Sequence, residues 1–387
     1  MFFLSTIVLV GIAYGSLFPF NFHAAEIDPA TLDAFVASWR APAGRGDIFA
    51  NFVLFAPFGL VGLMATGRKR LFLLRLVLTI VAAVVFATAL QVAQLFLPGR
   101  IAALNDVVWN TLGTIAGALA ALVISKGALV ARVGDQPLPA VPAFLLGTWI
   151  ALRLIPFVPT LDFQAIKESL KPLLVHPEIS ATDVFLNAVS WLVVGYLLQW
   201  IGRPGRVGVK LALVMVGIFS LEVLIVANDL TASNVVGGVL ALTLAVTVLK
   251  RGRRTAGVLS ALLCTALVVR GLEPFALRTT VGSFAWLPFH GFLGGSVYLN
   301  TLTLLEKTFL YGSLIFLLRT AGLGWLKSAL LTACVLLLIE IAQLFYGAHS
   351  PEITDPFLAI LLTTCMVMFE RHAPALRQPK RGQKRLV

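Results

Sequence analysis

Long apolar stretches recur along the whole chain, and each is close to the length that a helix needs to cross a bilayer. A transmembrane helix takes about 20 predominantly apolar residues. Because no water reaches the hydrocarbon core, every backbone polar group there must be paired within the protein, and long uninterrupted stretches pair them as helices. The sequence therefore predicts an all-α polytopic membrane protein and excludes a disordered chain, a secreted disulfide scaffold and a transmembrane β-barrel.

Twelve candidate spans can be placed, with ends defined to within a few residues. Only 12% of the residues are charged and the mean hydropathy is +0.93, whereas soluble domains carry about 25% charged residues. The predicted spans are 2–19, 48–66, 71–96, 102–125, 138–158, 182–201, 209–228, 230–249, 255–275, 298–318, 326–347 and 353–369.

Basic residues are concentrated in every second loop of this arrangement. Five loops, those after spans 2, 4, 6, 8 and 10, and the C-terminal tail together hold 21 of the 30 Lys and Arg residues. Each loop is counted with the first five residues of the span that follows it. The positive-inside rule places these segments and both termini in the cytoplasm. The net charge of +12 therefore indicates membrane orientation and no nucleic-acid partner, and residues 372–387 are predicted to be a basic cytoplasmic tail at the lipid head groups.

A short motif ending in Pro-Phe recurs three times, each time at the predicted outer end of a span. Residues 17–20, 154–157 and 272–275 read LFPF, LIPF and LEPF. Such internal repetition is typical of repeat architectures. Because four spans per unit return the chain to the same side, the copies share one orientation. We predict three four-helix units, at residues 1–133, 134–253 and 254–371.

Polar residues of the first unit cluster at the predicted outer ends of spans 2, 3 and 4. Residues three or four apart share one helix face, and the short turn after span 3 brings an arginine to the same level. That guanidinium can pair with Asp47 or Asp106, or bind a phosphate or carboxylate. For Asp106 and Asp183 individually, helix capping is as good an explanation as a functional role. The ligand-binding candidates are Asp47, Asn51, Gln91, Gln94, Arg100, Asp106 and Asn110.

Three glutamates lie deeper in the predicted spans: Glu222, Glu306 and Glu340. A charge at the centre of a membrane helix costs about 2.5 to 3.5 kcal/mol unless a partner or a cavity receives it. These side chains are therefore candidates for paired intramembrane carboxylates. Lys307 follows Glu306 directly, but neighbours on a helix point apart, so the two residues need not form a salt bridge.

The best-formed motifs lie in the first unit. Residues 47–59 read DIFANFVLFAPFG, residues 91–96 read QVAQLF, and residues 98–113 contain PGR followed by NDVVWNTLG. Over about residues 10–125, and more weakly in the other two units, the chain resembles the VanZ-like family of bacterial membrane proteins. The resemblance implies a multi-pass envelope protein of the bacterial cytoplasmic membrane. The family usually has a glutamate where this unit has Gln91.

Motifs for cofactors and metals are missing from the sequence. It contains no Walker loop, dinucleotide fingerprint, HExxH pair or nucleophile elbow. The three cysteines, Cys264, Cys334 and Cys365, are far apart and lack metal-ligand spacing. We expect no cofactor and no metal, and we assign no catalytic residue from sequence.

Three functions are compatible with these features. The first is a non-catalytic envelope protein that binds an anionic lipid-linked or glycolipid species at the outer face, with Arg100 as the anion anchor. The second is a membrane enzyme that acts on a lipid-linked substrate with a carboxylate as general base. The third is a transporter in which Glu222 and Glu340 relay protons. The first is favoured because the polar cluster faces outward, and the sequence leaves the oligomeric state open.

Overall fold

A computed structural model describes the chain at residues 2–23, 28–64, 72–125, 132–133, 136–137, 139–160, 162–175, 177–201, 206–225, 230–247, 249–294, 297–347 and 349–372. It divides into two compact units, residues 1–131 and 132–387. The fold is helical, and it adds one feature that the sequence did not predict, a two-residue antiparallel pair between β1 (Arg132–Val133) and β2 (Gln136–Pro137). Almost all of the predicted basic tail, from residue 373 onward, lies outside the described residues.

The described residues of the first compact unit contain five α-helices. They are α1 (Phe2–Leu17), α2 (Pro29–Ala37), α3 (Arg45–Met64), α4 (Phe72–Gln94) and α5 (Leu104–Ser125), with a 3-10 turn at Ser38–Arg40 after α2. Helix α2 begins where the Asp28 carboxylate accepts a hydrogen bond from the Thr31 amide at 2.8 Å. Hydrogen bonds from the Thr31 side chain and from this amide lower the pKa of Asp28. Such a cap satisfies an amide that the first helical turn leaves unpaired.

Glycines let α3 and α5 approach until their backbones touch. A side chain added at Gly113 or Gly117 of α5 would collide with the main-chain carbonyls of Phe52 and Ala56 in α3. Small residues spaced four apart are typical of such close membrane-helix contacts. The polar residues near the starts of α3 and α5 are thereby held close together.

Ten α-helices lie in the part of the second compact unit that the structure describes. They are α6 (Ala140–Leu154), α7 (Phe163–Leu174), α8 (Ala181–Leu198), α9 (Val207–Leu224), α10 (Ala232–Thr247), α11 (Arg253–Leu272), α12 (His290–Gly294), α13 (Val297–Ala321), α14 (Trp325–Gln343) and α15 (Thr354–His372). Helices α8 and α13 are the most buried of its candidate membrane helices. Their side chains form much of a single apolar core with α6 and α11, including Trp149, Trp191, Leu263 and Phe309.

A helix lies at each of the twelve predicted spans. Among the described residues, seven helices are long and apolar enough to cross a membrane: α3, α4, α8, α9, α11, α13 and α14. Helices α1, α6, α10 and α15 are apolar but shorter, and α5 occupies the remaining predicted span. The chain is thus a multi-pass membrane protein. The helices α2, α7 and α12 were not predicted and follow the first helix of each proposed four-helix unit.

The three Pro-Phe motifs adopt one backbone conformation. Phe20, Phe157 and Phe275 have φ values of 65°, 59° and 60°. In each turn the phenylalanine amide donates to the carbonyl of the leucine three residues earlier, at 2.9, 2.7 and 2.7 Å. The left-handed region is uncommon for a bulky residue. The three motifs therefore share an unusual turn, with the same left-handed phenylalanine and the same main-chain hydrogen bond.

Candidate functional site

Four of the seven candidate residues in the first compact unit meet at the starts of α3 and α5; we call Asp47, Asn51, Gln91 and Asp106 the Gln91 cluster. The Gln91 amide donates to the Asp106 carboxylate at 3.3 Å, and the Asn51 side chain also hydrogen-bonds to it. The other end of Gln91 accepts from the Ala103 amide at 2.9 Å. Asp47 is near enough to act on Asp106 electrostatically, and its side chain is exposed.

Two of the predicted site residues are buried and make no described hydrogen bond to this cluster. The Gln94 amide donates to the Ser16 carbonyl at the end of α1, at 2.8 Å, so Gln94 joins two helices. Asn110 lies one turn after Asp106 in α5 and is 3% exposed, and its side-chain oxygen has no hydrogen-bond partner among the described residues.

Arg100 does not pair with either aspartate, which corrects one of the two predicted roles. Its Nε donates to the Phe18 carbonyl at 3.1 Å, and one Nη donates to the Gly15 carbonyl at 3.4 Å. A cation at the last carbonyls of a helix also complements the helix dipole. Arg100 remains exposed, and a guanidinium has five N–H donors, so part of its fork is open to an anion.

Two further residues position the start of α5 and were not identified from sequence. The Ser38 hydroxyl accepts from the Leu104 amide at 2.8 Å, and the Asn105 amide donates to the Ala41 carbonyl at 2.8 Å. Both bonds tie the segment after α2 to the N-terminus of α5. The distances in sequence are 66 and 64 residues, and no local pattern signals contacts of that range.

The second compact unit contains a counterpart, which we call the Glu340 cluster: Lys307, Tyr311, Glu340 and Asp355. The Glu340 carboxyl accepts from the Glu352 amide at 2.8 Å and interacts directly with the Asp355 side chain. Asp355 in turn accepts from Lys307 and from the Tyr311 hydroxyl, each at 2.5 Å. Lys307 therefore pairs with Asp355 and not with its sequence neighbour Glu306.

The other two predicted intramembrane glutamates form ion pairs with arginines that sequence reasoning missed. Glu222 is bound by Arg153 at 2.5 Å, and Glu306 is bound by Arg270 at 2.7 Å. Both arginines lie one or two residues before a Pro-Phe motif. An arginine in the last turn of a helix, just before this recurring motif, is the sequence signal that could have identified both residues.

Two clefts lie among the described residues of the second compact unit. One has a volume of about 130 Å³ and lies between α6, α8, α11 and α13, where the Arg270–Glu306 pair and Arg153 line it. The other has a volume of about 150 Å³ and lies beside the Glu340 cluster, where Lys307 forms part of its wall. Among the described residues, no group of three His, Cys, Asp or Glu side chains is arranged to hold a metal ion.

Comparison with known proteins identifies the first part of the chain. Residues 2–125 match the family model described as VanZ/LLP1. This range corresponds closely to the first compact unit. No curated protein and no solved structure matches the chain significantly.

Proposed function

We propose that this chain, which is VanZ-like over residues 2–125, binds an anionic lipid-linked or glycolipid envelope component at the outer face of the bacterial cytoplasmic membrane. The observation that carries the proposal is the Gln91 cluster at the ends of two tightly packed helices, with the exposed Arg100 in the turn that leads to α5.

The two parts of this site supply different interactions. Arg100 is anchored by two main-chain carbonyls, so its orientation is set before a ligand arrives and less entropy is lost on binding. Its remaining N–H groups can bind a phosphate or carboxylate. The exposed Asp47 and the amide of Asn51 can hold hydroxyl groups of a sugar.

The test is native mass spectrometry, with lipid identification, on the full chain extracted gently from its own membrane. Wild type is compared with Arg100→Ala. Arg40→Ala is the matched control, because Arg40 lies in the same compact unit, at the same predicted face, and stacks on Trp39 at 4.7 Å. A specific anionic envelope lipid should accompany wild type and Arg40→Ala and be lost from Arg100→Ala. Bulk phospholipid alone in all three samples would refute the proposal.

A second candidate function is a membrane enzyme acting on the same class of lipid. It is favoured by the contrast between two carboxylates, since Asp106 accepts hydrogen bonds from Gln91 and Asn51 while Asp47 is exposed. In this scheme Asp47 is the general base, which must lie within hydrogen-bond reach of its substrate. If the chain is an enzyme, wild type should form product, and Asp47→Asn should retain the bound lipid while unprocessed substrate accumulates. If the chain only binds the lipid, neither wild type nor Asp47→Asn should form product.

We further propose that the chain crosses the membrane twelve times, in three four-helix units with both termini in the cytoplasm. The three matching turns at Phe20, Phe157 and Phe275 support the repeat. So do two hydrogen bonds of 2.8 Å, from Gln94 to Ser16 and from Gln343 to Gly271. Single cysteines placed at Trp39 and Trp286 should react with an impermeant thiol reagent from outside in a background lacking native cysteines, and a cysteine at Arg254 should not.

A further inference from the structure

The cleft between α6, α8, α11 and α13 has the features of a binding site that is separate from the Gln91 cluster. Its volume is about 130 Å³. Its polar wall is formed by side chains from α6, α8, α11 and α13, namely Arg153, Asp183, Asn187, Arg270 and Glu306. We call it the arginine cleft.

Both guanidiniums in the arginine cleft are held in place by carboxylates. Arg153 binds Glu222 at 2.5 and 3.0 Å and also donates to the Asn234 side chain at 3.2 Å. Arg270 binds Glu306 at 2.7 Å, and their side chains are 51% and 27% exposed. The Arg270 pair is therefore the accessible one, and a ligand can add hydrogen bonds to it without breaking a buried pair.

The side chains that line the arginine cleft carry equal numbers of positive and negative charges, from Arg153, Arg270, Asp183 and Glu306. Of these, Arg270 and Glu306 form an ion pair. Asp183 is exposed, and its carboxylate has no ion-pair partner among the described residues. A ligand with a net negative charge would meet Asp183 and Glu306, and a cation would meet both guanidiniums. Complementary charge placement favours a molecule that carries one charge of each sign.

The position of the arginine cleft indicates an amphipathic ligand. Arg153 and Arg270 lie in the last turns of α6 and α11, and Asp183 lies in the first turn of α8. Charged residues near helix ends lie at the level of the lipid head groups. Deeper in the helices, Leu263 and Leu267 of the wall are buried in the core. The cleft therefore suits the polar head of an amphipathic ligand, at the level of the lipid head groups.

We infer that the arginine cleft binds a zwitterionic phospholipid with a primary amine, whose phosphate lies at Arg270 and whose ammonium lies at Asp183. This inference does not depend on the proposed function, because it concerns residues 132–387 and a different head group.

The experiment is native mass spectrometry of the purified full chain in detergent, with equal amounts of phosphatidylethanolamine and phosphatidylglycerol carrying the same acyl chains. Wild type should retain mainly phosphatidylethanolamine. In Arg270→Ala and in Asp183→Asn the retained amount should fall about tenfold, since losing one charge-assisted hydrogen bond weakens binding by roughly that factor. Arg254→Ala is the control, because it removes an exposed arginine from the opposite end of the same helix α11.

Each alternative outcome is informative. Equal retention of the two lipids, a preference for phosphatidylglycerol, or a preference unchanged in both cleft variants overturns the inference. If Arg270→Ala does not elute as a folded protein, Asp183→Asn decides, since that side chain is exposed. Arg100→Ala should leave the phosphatidylethanolamine signal unchanged, which separates failure here from failure of the proposed function.

Discussion

The Gln91 cluster and the Glu340 cluster have the same geometry but different chemistry. In each, the last turn of a helix carries a side chain that accepts from a backbone amide twelve residues later, at 2.9 Å for Gln91 and 2.8 Å for Glu340. In each, the same side chain interacts with the aspartate fifteen residues later. The first cluster uses a neutral amide at this position, and the second uses an acid.

The difference shows how a buried acid is accommodated. At the Glu340 cluster, Lys307 and Tyr311 of α13 both donate to Asp355. Asp47–Gly59 of α3 and Asn300–Gly312 of α13 share a twelve-residue spacing, so the two helices can be aligned on Asp47 and Asn300. In this alignment Leu54 and Phe58 correspond to Lys307 and Tyr311, and their side chains have no hydrogen-bond donor. An additional carboxyl in a low-dielectric site requires a compensating donor or cation. In the Glu340 cluster, α13 supplies both, the donor from Tyr311 and the cation from Lys307.

The largest expected effect is that of removing the cation from the Glu340 cluster. Lys307→Met leaves Asp355 and Glu340 without a counter-charge, and breaking a largely buried pair in this way should lower the free energy of unfolding by about 3 kcal/mol. Denaturant unfolding of the full chain in detergent measures it. Adding Asp355→Asn should restore part of the loss. Wild-type stability in Lys307→Met would show that the lysine does not compensate the acids.

A smaller effect is expected from installing the acid in the first unit. Gln91→Glu places a carboxyl beside Asp106 where α3 has no cation, and it should lower the free energy of unfolding by about 2 kcal/mol, the cost of a buried polar group without its partner. The same unfolding measurement applies. The double variant Gln91→Glu with Leu54→Lys should recover stability, and if it is less stable than the single variant, the proposed correspondence between the clusters is wrong.

The reciprocal exchange should be nearly neutral. Glu340→Gln keeps an oxygen to accept from the Glu352 amide and gains an N–H toward Asp355, so the change in unfolding free energy should stay within about 1 kcal/mol. Measuring Glu340→Gln and Gln91→Glu under one set of conditions gives the difference between their changes in the free energy of unfolding. A loss as large as that of Lys307→Met would mean that the acid itself is essential to the cluster.

The smallest effect concerns a cap that also occurs in both compact units. Asp28 begins α2, and Asp162 begins α7 in the same way. Hydrogen bonding from Thr31 lowers the pKa of Asp28. The stability that this interaction adds is therefore present above the pKa of the Asp28 carboxyl in the unfolded chain, and it is lost as the pH falls through the lowered value. Hydrogen exchange at Thr31, corrected for intrinsic rates, should show less protection at pH 3 than at pH 6. In Asp28→Asn this pH dependence should disappear.

The sequence predicted the helical architecture well, because hydrophobic length is a local property. Every predicted span contains a helix, and residues 2–125 match the model of the predicted family. It also predicted that Asp47, Asn51, Gln91 and Asp106 belong together, since helix spacing and similar depth are readable from the chain. It left open whether Arg100 pairs with an aspartate or binds an anion, and it did not predict the main-chain carbonyls at the end of α1 that Arg100 contacts, because such carbonyls give no sequence signal.

What the sequence alone determined was the type of protein and the places of its apolar helices along the chain, because both follow from the cost of placing polar groups in hydrocarbon. Only the tertiary structure decided which charges meet. Arg153 with Glu222, Arg270 with Glu306 and Lys307 with Asp355 are separated by 69, 36 and 48 residues. Such pairs depend on which helices pack together and on how each is rotated, and these are properties of the packed helices that no single stretch of sequence contains.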